Sequence, residues 1–214
     1  MSVSGESSAR TRIRDAALER FGRDGVNRVT VRAIAADAGV SPALVVHHFG
    51  SKEALRRECD AYVVAMMRGG GADDADEWAE AAAGNARGLS RTLAAAAPVR
   101  RYLARAFLDG SPEAAALFDE IVDLTEAWLA EGEREGRVRP TEHPRTRAAV
   151  YVTYLLAPLA FDEHVVRVLG VEDLHGIDAT LRFSRVALEI FTRGIFTDER
   201  ALDAWDAVRK ERES

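Results

Sequence analysis

TVRAIAADAGVSPALVVHHF, residues Thr30 to Phe49, reads as two short helices joined by a turn centred on glycine. Thr30 is a good N-cap, because its hydroxyl can accept a hydrogen bond from an unpaired N–H of the first turn. Val31, Ile34, Ala35 and Ala38 repeat at helical spacing and form one apolar stripe. Gly39 then ends the helix, since glycine takes a positive φ at little cost. Val40 is an apolar plug between the two helices. Ser41 caps the second helix, and Pro42 sits in its first turn, where a missing N–H costs nothing. This second helix is about two turns long, too short to be stable alone. The pattern is that of a helix-turn-helix that needs support from its neighbours.

The flanks supply the support. Upstream, residues 11–25 read TRIRDAALERFGRDG. Ile13, Ala17 and Phe21 recur every four residues with Leu18 beside them, and Gly25 stops the helix. Downstream, Gly50 breaks the chain and Ser51 caps a new helix. Its capping box is imperfect, because the acid Glu53 stands two residues on rather than three. Leu55, Cys59, Tyr62 and Val63 continue an apolar face. Four helices in about 60 residues, the third short and polar-tipped, form one compact DNA-binding unit.

Residues 11–68 resemble the N-terminal domain of TetR-family transcriptional regulators. The matching pieces are AALERFGRDGVNRVTVRAIAADAGVS, residues 16–41, and HHFGSKEALR, residues 47–56. Beyond residue 70 the likeness rests on length and helical pattern alone. The resemblance implies that Pro42, Ala43 and Val46 touch base edges in the major groove, and that Leu44, His48 and Lys52 touch phosphates. It also implies that Arg32 can reach a base, where an arginine can bond guanine O6 and N7 as a pair. Thr30 can donate to a phosphate beside the free N–H groups of its helix start. Ser41 closes the set as the cap of the reading helix. The chain departs from the family pattern at Val46, a position that is commonly tyrosine. Valine can only pack, for instance on a thymine methyl. With Pro42, Ala43 and Leu44 it makes an apolar reading surface, and His47, His48, Arg32 and Lys52 are left to supply the polar contacts. Val45 and Phe49 are the inward-facing residues. Adjacent His47 and His48 point about 100° apart on a helix and do not make a shared metal site. No metal or cofactor is expected.

Charge agrees with this reading and limits it. The 214-residue chain has a formal net charge of −6, which argues against a generally adhesive nucleic-acid protein. Residues 1–68 hold 11 Lys and Arg against 8 Asp and Glu, whereas the remainder holds 18 against 27. A mildly basic head on an acidic body suits a protein that presents one face to phosphates. The single cysteine, Cys59, lies on an apolar face and reads as a buried thiol. There is no signal peptide and no run of about 18 apolar residues, so no membrane association is expected and the location is expected to be cytoplasmic. Residues 1–9 read as a disordered tail, residues 10–68 as the DNA-binding head, and residues 69–214 as a helical ligand-binding and dimerisation domain.

That second domain shows helical periodicity throughout, and the fold class is all-α. Asp73 to Ala97 is alanine-rich. Pro98 opens a short helix, and Ser111-Pro112 begins one carrying Leu117, Ile121, Leu124 and Trp128. Pro144 to Leu169 is predicted as one long helix kinked at Pro158. Asp178 to Arg193 is the next, and Thr197 caps a last short helix with Leu202, Trp205 and Val208. The resemblance implies that the last two long helices pair with those of a second copy, so that two heads read an imperfect palindrome in double-stranded DNA. It also implies a pocket for a small-molecule inducer among the middle helices. Trp78, Asn85, Tyr102, Phe107, Phe118, Trp128, Tyr151, Tyr154 and His164 are the candidates, although each reads first as core packing. Asp162, Glu163 and His164 fan out as three consecutive helical residues and read as a solvated helix end.

The function expected is a sequence-specific regulator of transcription, a repressor released from its operator by a small apolar or amphipathic ligand. The alternative is a regulator controlled by a protein partner, or without any ligand. An enzyme is not expected: there is no nucleophile–base pairing, phosphate loop or metal-ligand spacing.

Overall fold

The computed structural model describes residues 3–68, 96–108, 110–174 and 177–213. Among them there are ten α-helices, one 3-10 turn and no strand. Helix α1 spans Val3–Asp24, and the 3-10 turn spans Val26–Arg28. Helices α2 (Val31–Asp37), α3 (Pro42–Phe49) and α4 (Lys52–Met67) follow. Then come α5 (Ala97–Leu108), α6 (Pro112–Arg134) and α7 (Pro144–Ala160). Helices α8 (Asp162–Leu169), α9 (Ile177–Arg193) and α10 (Arg200–Glu213) complete the chain.

Helices α2, α3, α4 and α6 start where the sequence placed them, through the expected caps. Thr30 accepts from the N–H of Ala33, Ser41 from Leu44, Ser51 from Ala54 and Ser111 from Ala114. Each such bond satisfies one of the donors a helix start leaves without an internal partner. Helix α1 begins earlier than expected and takes in most of the stretch read as a disordered tail, residues 1–9. Ala9 is already buried in the core, and a helix propagates cheaply from a packed turn.

Ile13, Ala17 and Phe21 of α1 are buried against Ile34 and Ala35 of α2, Val45 of α3, and Leu55, Cys59 and Val63 of α4. The same cluster continues without a break into Val99, Tyr102 and Leu103 of α5, Leu117 and Ile121 of α6, and Ala148 and Val152 of α7. Helices α1 and α5 approach so closely at Gly22 that an added Cβ would stand 2.9 Å from the backbone nitrogen of Tyr102. The boundary expected after residue 68 is therefore not a gap in packing. The compact units are Met1–Leu174 and His175–Ser214.

Two further expectations are corrected. The long helix from Pro144 to Leu169 is two helices, broken at Phe161, whose φ of −113° and ψ of 29° are not helical. Pro158 lies inside α7, which continues to Ala160; its missing N–H and its ring bear on the carbonyl of Tyr154, in the preceding turn, and not on the break. The last helix starts at Arg200, whose N–H is accepted by Asp198 rather than held by a cap at Thr197. Residues 73–95 of the helix predicted over Asp73 to Ala97 lie outside the described residues. Among the described residues no helix is long and apolar enough to cross a membrane.

Candidate nucleic-acid interface

The turn between α2 and α3 is closed by backbone bonds. Val40 N–H donates to Ala35 at 2.9 Å and Gly39 N–H to Ala36 at 3.2 Å. Gly39 has φ +64°, a left-handed conformation that a side chain makes costly. Helix α1 holds α2 in place from outside. Arg20 grips the Asp37 carboxylate with two bonds of 2.5 and 2.8 Å. The hydrogen bond from Arg20 holds the Asp37 carboxyl below the ordinary carboxylate range. Arg12 adds a longer bond of 3.4 Å to the carbonyl of Ala38.

Helix α3 turns Val45 and Phe49 inward, as the sequence predicts. Pro42, Ala43, Val46 and His47 are exposed, and Val46 keeps 50% of its accessible surface. An exposed apolar face is thus present on a helix whose inner side is fixed in the core. Leu44 is half-buried. His48 is half-buried too, with its Nε2 enclosed and making no hydrogen bond. Its ring lies between those of His47, at 5.5 Å, and Phe49, at 6.3 Å. In this position His48 is a packing residue more than a phosphate donor.

Lys52 is also used differently from the expectation. Its ammonium donates to the carbonyls of Val26 and Val29 at 3.1 and 3.2 Å. These carbonyls belong to the 3-10 turn and its end, so Lys52 ties the start of α4 to the entry of α2. A lysine has three donors, and one is left for a phosphate.

The ion-pair pattern of the head singles out other cations. Arg10 pairs with Glu58, Arg14 with Asp15, Arg20 with Asp37, Arg23 with Asp24 and Arg56 with Asp60. Arg28, Arg32 and Arg57 are exposed and form no ion pair among the described residues. Arg28 ends the 3-10 turn and Arg32 lies in the first turn of α2, on either side of the Thr30 cap. Arg28 was not singled out by motif, because no capping or apolar pattern marks it. Its freedom from acids is a tertiary fact.

The body residues proposed for a ligand divide. Trp78 and Asn85 lie outside the described residues. Tyr102 is buried and donates to the Asp60 carboxylate at 2.5 Å. Phe107 and Phe118 meet edge to face at 5.2 Å, and both border the core. Trp128 is 52% exposed and leans on Tyr151 at 5.9 Å, so it does not belong to the core face expected for it. Tyr154 is half-buried, while Asp162, Glu163 and His164 are all exposed, as a solvated helix end should be. Two hollows, of about 510 and 250 Å³, border α1. The first is lined by Asp15, Glu19 and Asp37, the second by Leu18, Tyr62 and Pro98, and neither includes a candidate ligand residue.

Helix α4 meets the body through polar contacts as well. Arg56 donates to Ser111 at 2.9 Å and lies 3.9 Å from both Asp60 and Glu113. Burial pushes the Asp60 carboxyl above its ordinary range, and the Tyr102 hydrogen bond and Arg56 charge pull against it. Burial also raises the Cys59 thiol, which is fully enclosed and not nucleophilic at neutral pH.

A capped helix-turn-helix with an exposed reading helix, joined to a helical body, defines a transcriptional regulator of the helix-turn-helix class. Residues 13–59 match the family of bacterial regulatory proteins named for tetR, and residues 95–197 match a tetracyclin repressor-like C-terminal domain. A relative over almost the whole length is the HTH-type transcriptional regulatory protein RaaS of Mycobacterium tuberculosis, 34% identical over 99% of this chain and 98% of that protein. The HTH-type transcriptional regulator BetI of Rhizobium meliloti is 58% identical over 41 residues, 19% of this chain and 20% of that protein. Among solved structures, the regulator FadR of Bacillus subtilis in complex with stearoyl-CoA shares the fold. It has a TM-score of 0.50 and 19% identity, over 87% of this chain and 99% of that one. The chain belongs to the TetR family of transcriptional regulators.

Proposed function

We propose that the chain is a dimeric repressor whose head, residues 10–68, reads a half-site of an imperfect palindrome. The observation that carries this reading is the exposed apolar face of α3, with Pro42, Ala43 and Val46, flanked by the unpaired cations Arg28 and Arg32. Apolar side chains there suit thymine methyls, and free guanidinium groups suit guanine edges and phosphates. Thr30 and His47 extend the polar contacts, and Ser41 supports them by capping. Lys52 and His48 act mainly by fixing the shape of the head. Dimerisation is assigned to α7, α8 and α9, which expose Val150, Leu155, Val168, Leu181 and Leu188. Such large apolar groups are costly to leave in water and suit a second copy.

Release by a small apolar or amphipathic ligand is the regulatory reading. The fold is shared with FadR, which was solved with stearoyl-CoA, and this supports an apolar ligand in the body. A ligand shifts the head only by its differential affinity for the two states. The commitment of Tyr102 to Asp60, and of Phe107 to Phe118, favours a second reading. In it the body is filled and the regulator answers to a protein partner.

Selection of bound sites from random duplex DNA at two salt concentrations tests the reading. A recovered imperfect palindrome supports a dimeric, sequence-specific regulator. Salt-sensitive binding without sequence preference overturns it.

A further inference from the structure

We propose that Arg10, on the N-terminal half of α1, is a positioning residue that sets the roll of the reading helix α3. The inference rests on the assignment of α3 to the DNA groove. Its geometry does not depend on that assignment.

Three contacts meet at one guanidinium. Nη1 of Arg10 donates to the carbonyl of His48 at 3.0 Å. Nη2 lies 2.8 Å from Oε2 of Glu58 on α4. The Cζ stands 4.6 Å from the centroid of the Phe49 ring. Arg10 thus bridges α1 to α4 and, on the way, holds both the backbone and the last inward side chain of α3.

The end of α3 has a defined need for this contact. The last carbonyls of a helix have no internal partner. In α3, Val46 accepts from the N–H of Gly50 and Phe49 from Ser51. The carbonyl of His48 accepts from Arg10. It also carries part of the negative end of the helix dipole, where a cation is favoured. The other end of the helix is held by the Ser41 cap. Phe49 is the inward anchor at the C-terminal end, 9% exposed, and the arginine lies against its ring.

A helix of two turns is not rigid by itself. Its side chains reach about 5–6 Å from the axis, so a roll of about 10° moves a tip by roughly 1 Å. Specific recognition tolerates about 0.5 Å of such error. Val46 lies two residues before His48 and is exposed, about 100° around the helix from the buried Val45. Fixing the carbonyl of His48 therefore fixes the aim of Val46 and His47. Nothing in the linear sequence marks the link, since 38 residues separate the two partners.

The test compares the wild type with Arg10→Ala, Arg10→Lys and Glu58→Gln on the selected operator and on random duplex. Arg10→Ala should lower specific affinity about tenfold or more, while non-specific binding and the salt slope stay as they were. Arg10→Lys should restore part of the loss, because lysine can still reach the carbonyl and Glu58 but cannot stack as a plane. Glu58→Gln should fall between the wild type and Arg10→Ala. A salt slope reduced by about one would mean that Arg10 touches a phosphate instead, and would overturn the proposal. Equal loss of specific and non-specific binding would make it a general stability residue, and would overturn it as well.

Backbone amide exchange of the free protein gives an arm independent of DNA. In Arg10→Ala the amides of the last turn of α3 should exchange several-fold faster, and those of α2 should not. Unchanged exchange there overturns the proposal. Should the wild type prove to have no operator, the reading of the head fails, and exchange alone decides whether Arg10 holds the helix.

Discussion

Arg32 and Arg28 stand on either side of the Thr30 cap, exposed and free of acids. Their roles differ by position. Arg32→Ala should lower specific affinity by about 1–3 kcal/mol and relax preference at one base pair, as loss of a guanine pair does. Arg28→Ala should weaken binding to all sequences alike and reduce the salt slope by about one. Fluorescence anisotropy over a salt series, on operator and random duplex, separates the two. A third residue-scale effect concerns Asp60. Tyr102→Phe removes the 2.5 Å hydrogen bond and leaves a buried carboxylate short of a donor, at a cost of about 2 kcal/mol. The Tyr102 bond lowers the Asp60 pKa, which burial already raises, so the substitution raises it further. A carboxyl with a raised folded pKa contributes less stability as pH rises through that value. The deficit of Tyr102→Phe should therefore be smallest in acid and open as pH rises through the wild-type Asp60 pKa, which burial holds above the ordinary 3.8. Urea unfolding at pH 4 and pH 7 reads this directly.

Elements are joined here by contacts that small residues permit. Gly22 lets α1 lie on α5, with only 2.9 Å to spare for a Cβ before the Tyr102 backbone. The obstacle is main chain, so it cannot rotate away. Gly22→Ala should cost about 1–3 kcal/mol through overpacking, and thermal unfolding would show it. The cost should be felt by head and body together, because the core is continuous across α1 and α5. The turn between α2 and α3 depends likewise on Gly39 and its positive φ. At Phe161 the backbone leaves helical geometry and ends an element that the apolar periodicity carried onward to Leu169.

At the scale of the whole molecule, an apolar face of α9 remains to be covered. Leu181 and Leu188, seven residues apart on α9, are 41% and 57% exposed. That spacing puts them on one side of the helix. Changing both to Glu should convert a dimer to a monomer in sedimentation, with little loss of monomer stability, because surface substitutions cost little. Operator affinity should fall on the order of 10²-fold or more, since the second head no longer binds as part of one molecule. An unchanged dimer would move the interface elsewhere.

The sequence by itself determined the local chemistry of the head. Caps at Thr30, Ser41 and Ser51, a glycine at position 39, and inward Val45 and Phe49 follow from rules that act over four residues or fewer. That range is why they were legible, and why α6 was found from Ser111 and Pro112. Tertiary structure decided what each cation and aromatic does. Lys52 is tied to the carbonyls of Val26 and Val29, and His48 has its Nε2 enclosed. Tyr102 became the partner of Asp60, Trp128 was left at the surface, and Arg28 was left free. The reason is physical: long polar side chains choose partners across many tens of residues, by distance and burial in the folded chain. A capping oxygen, by contrast, finds its N–H within its own turn.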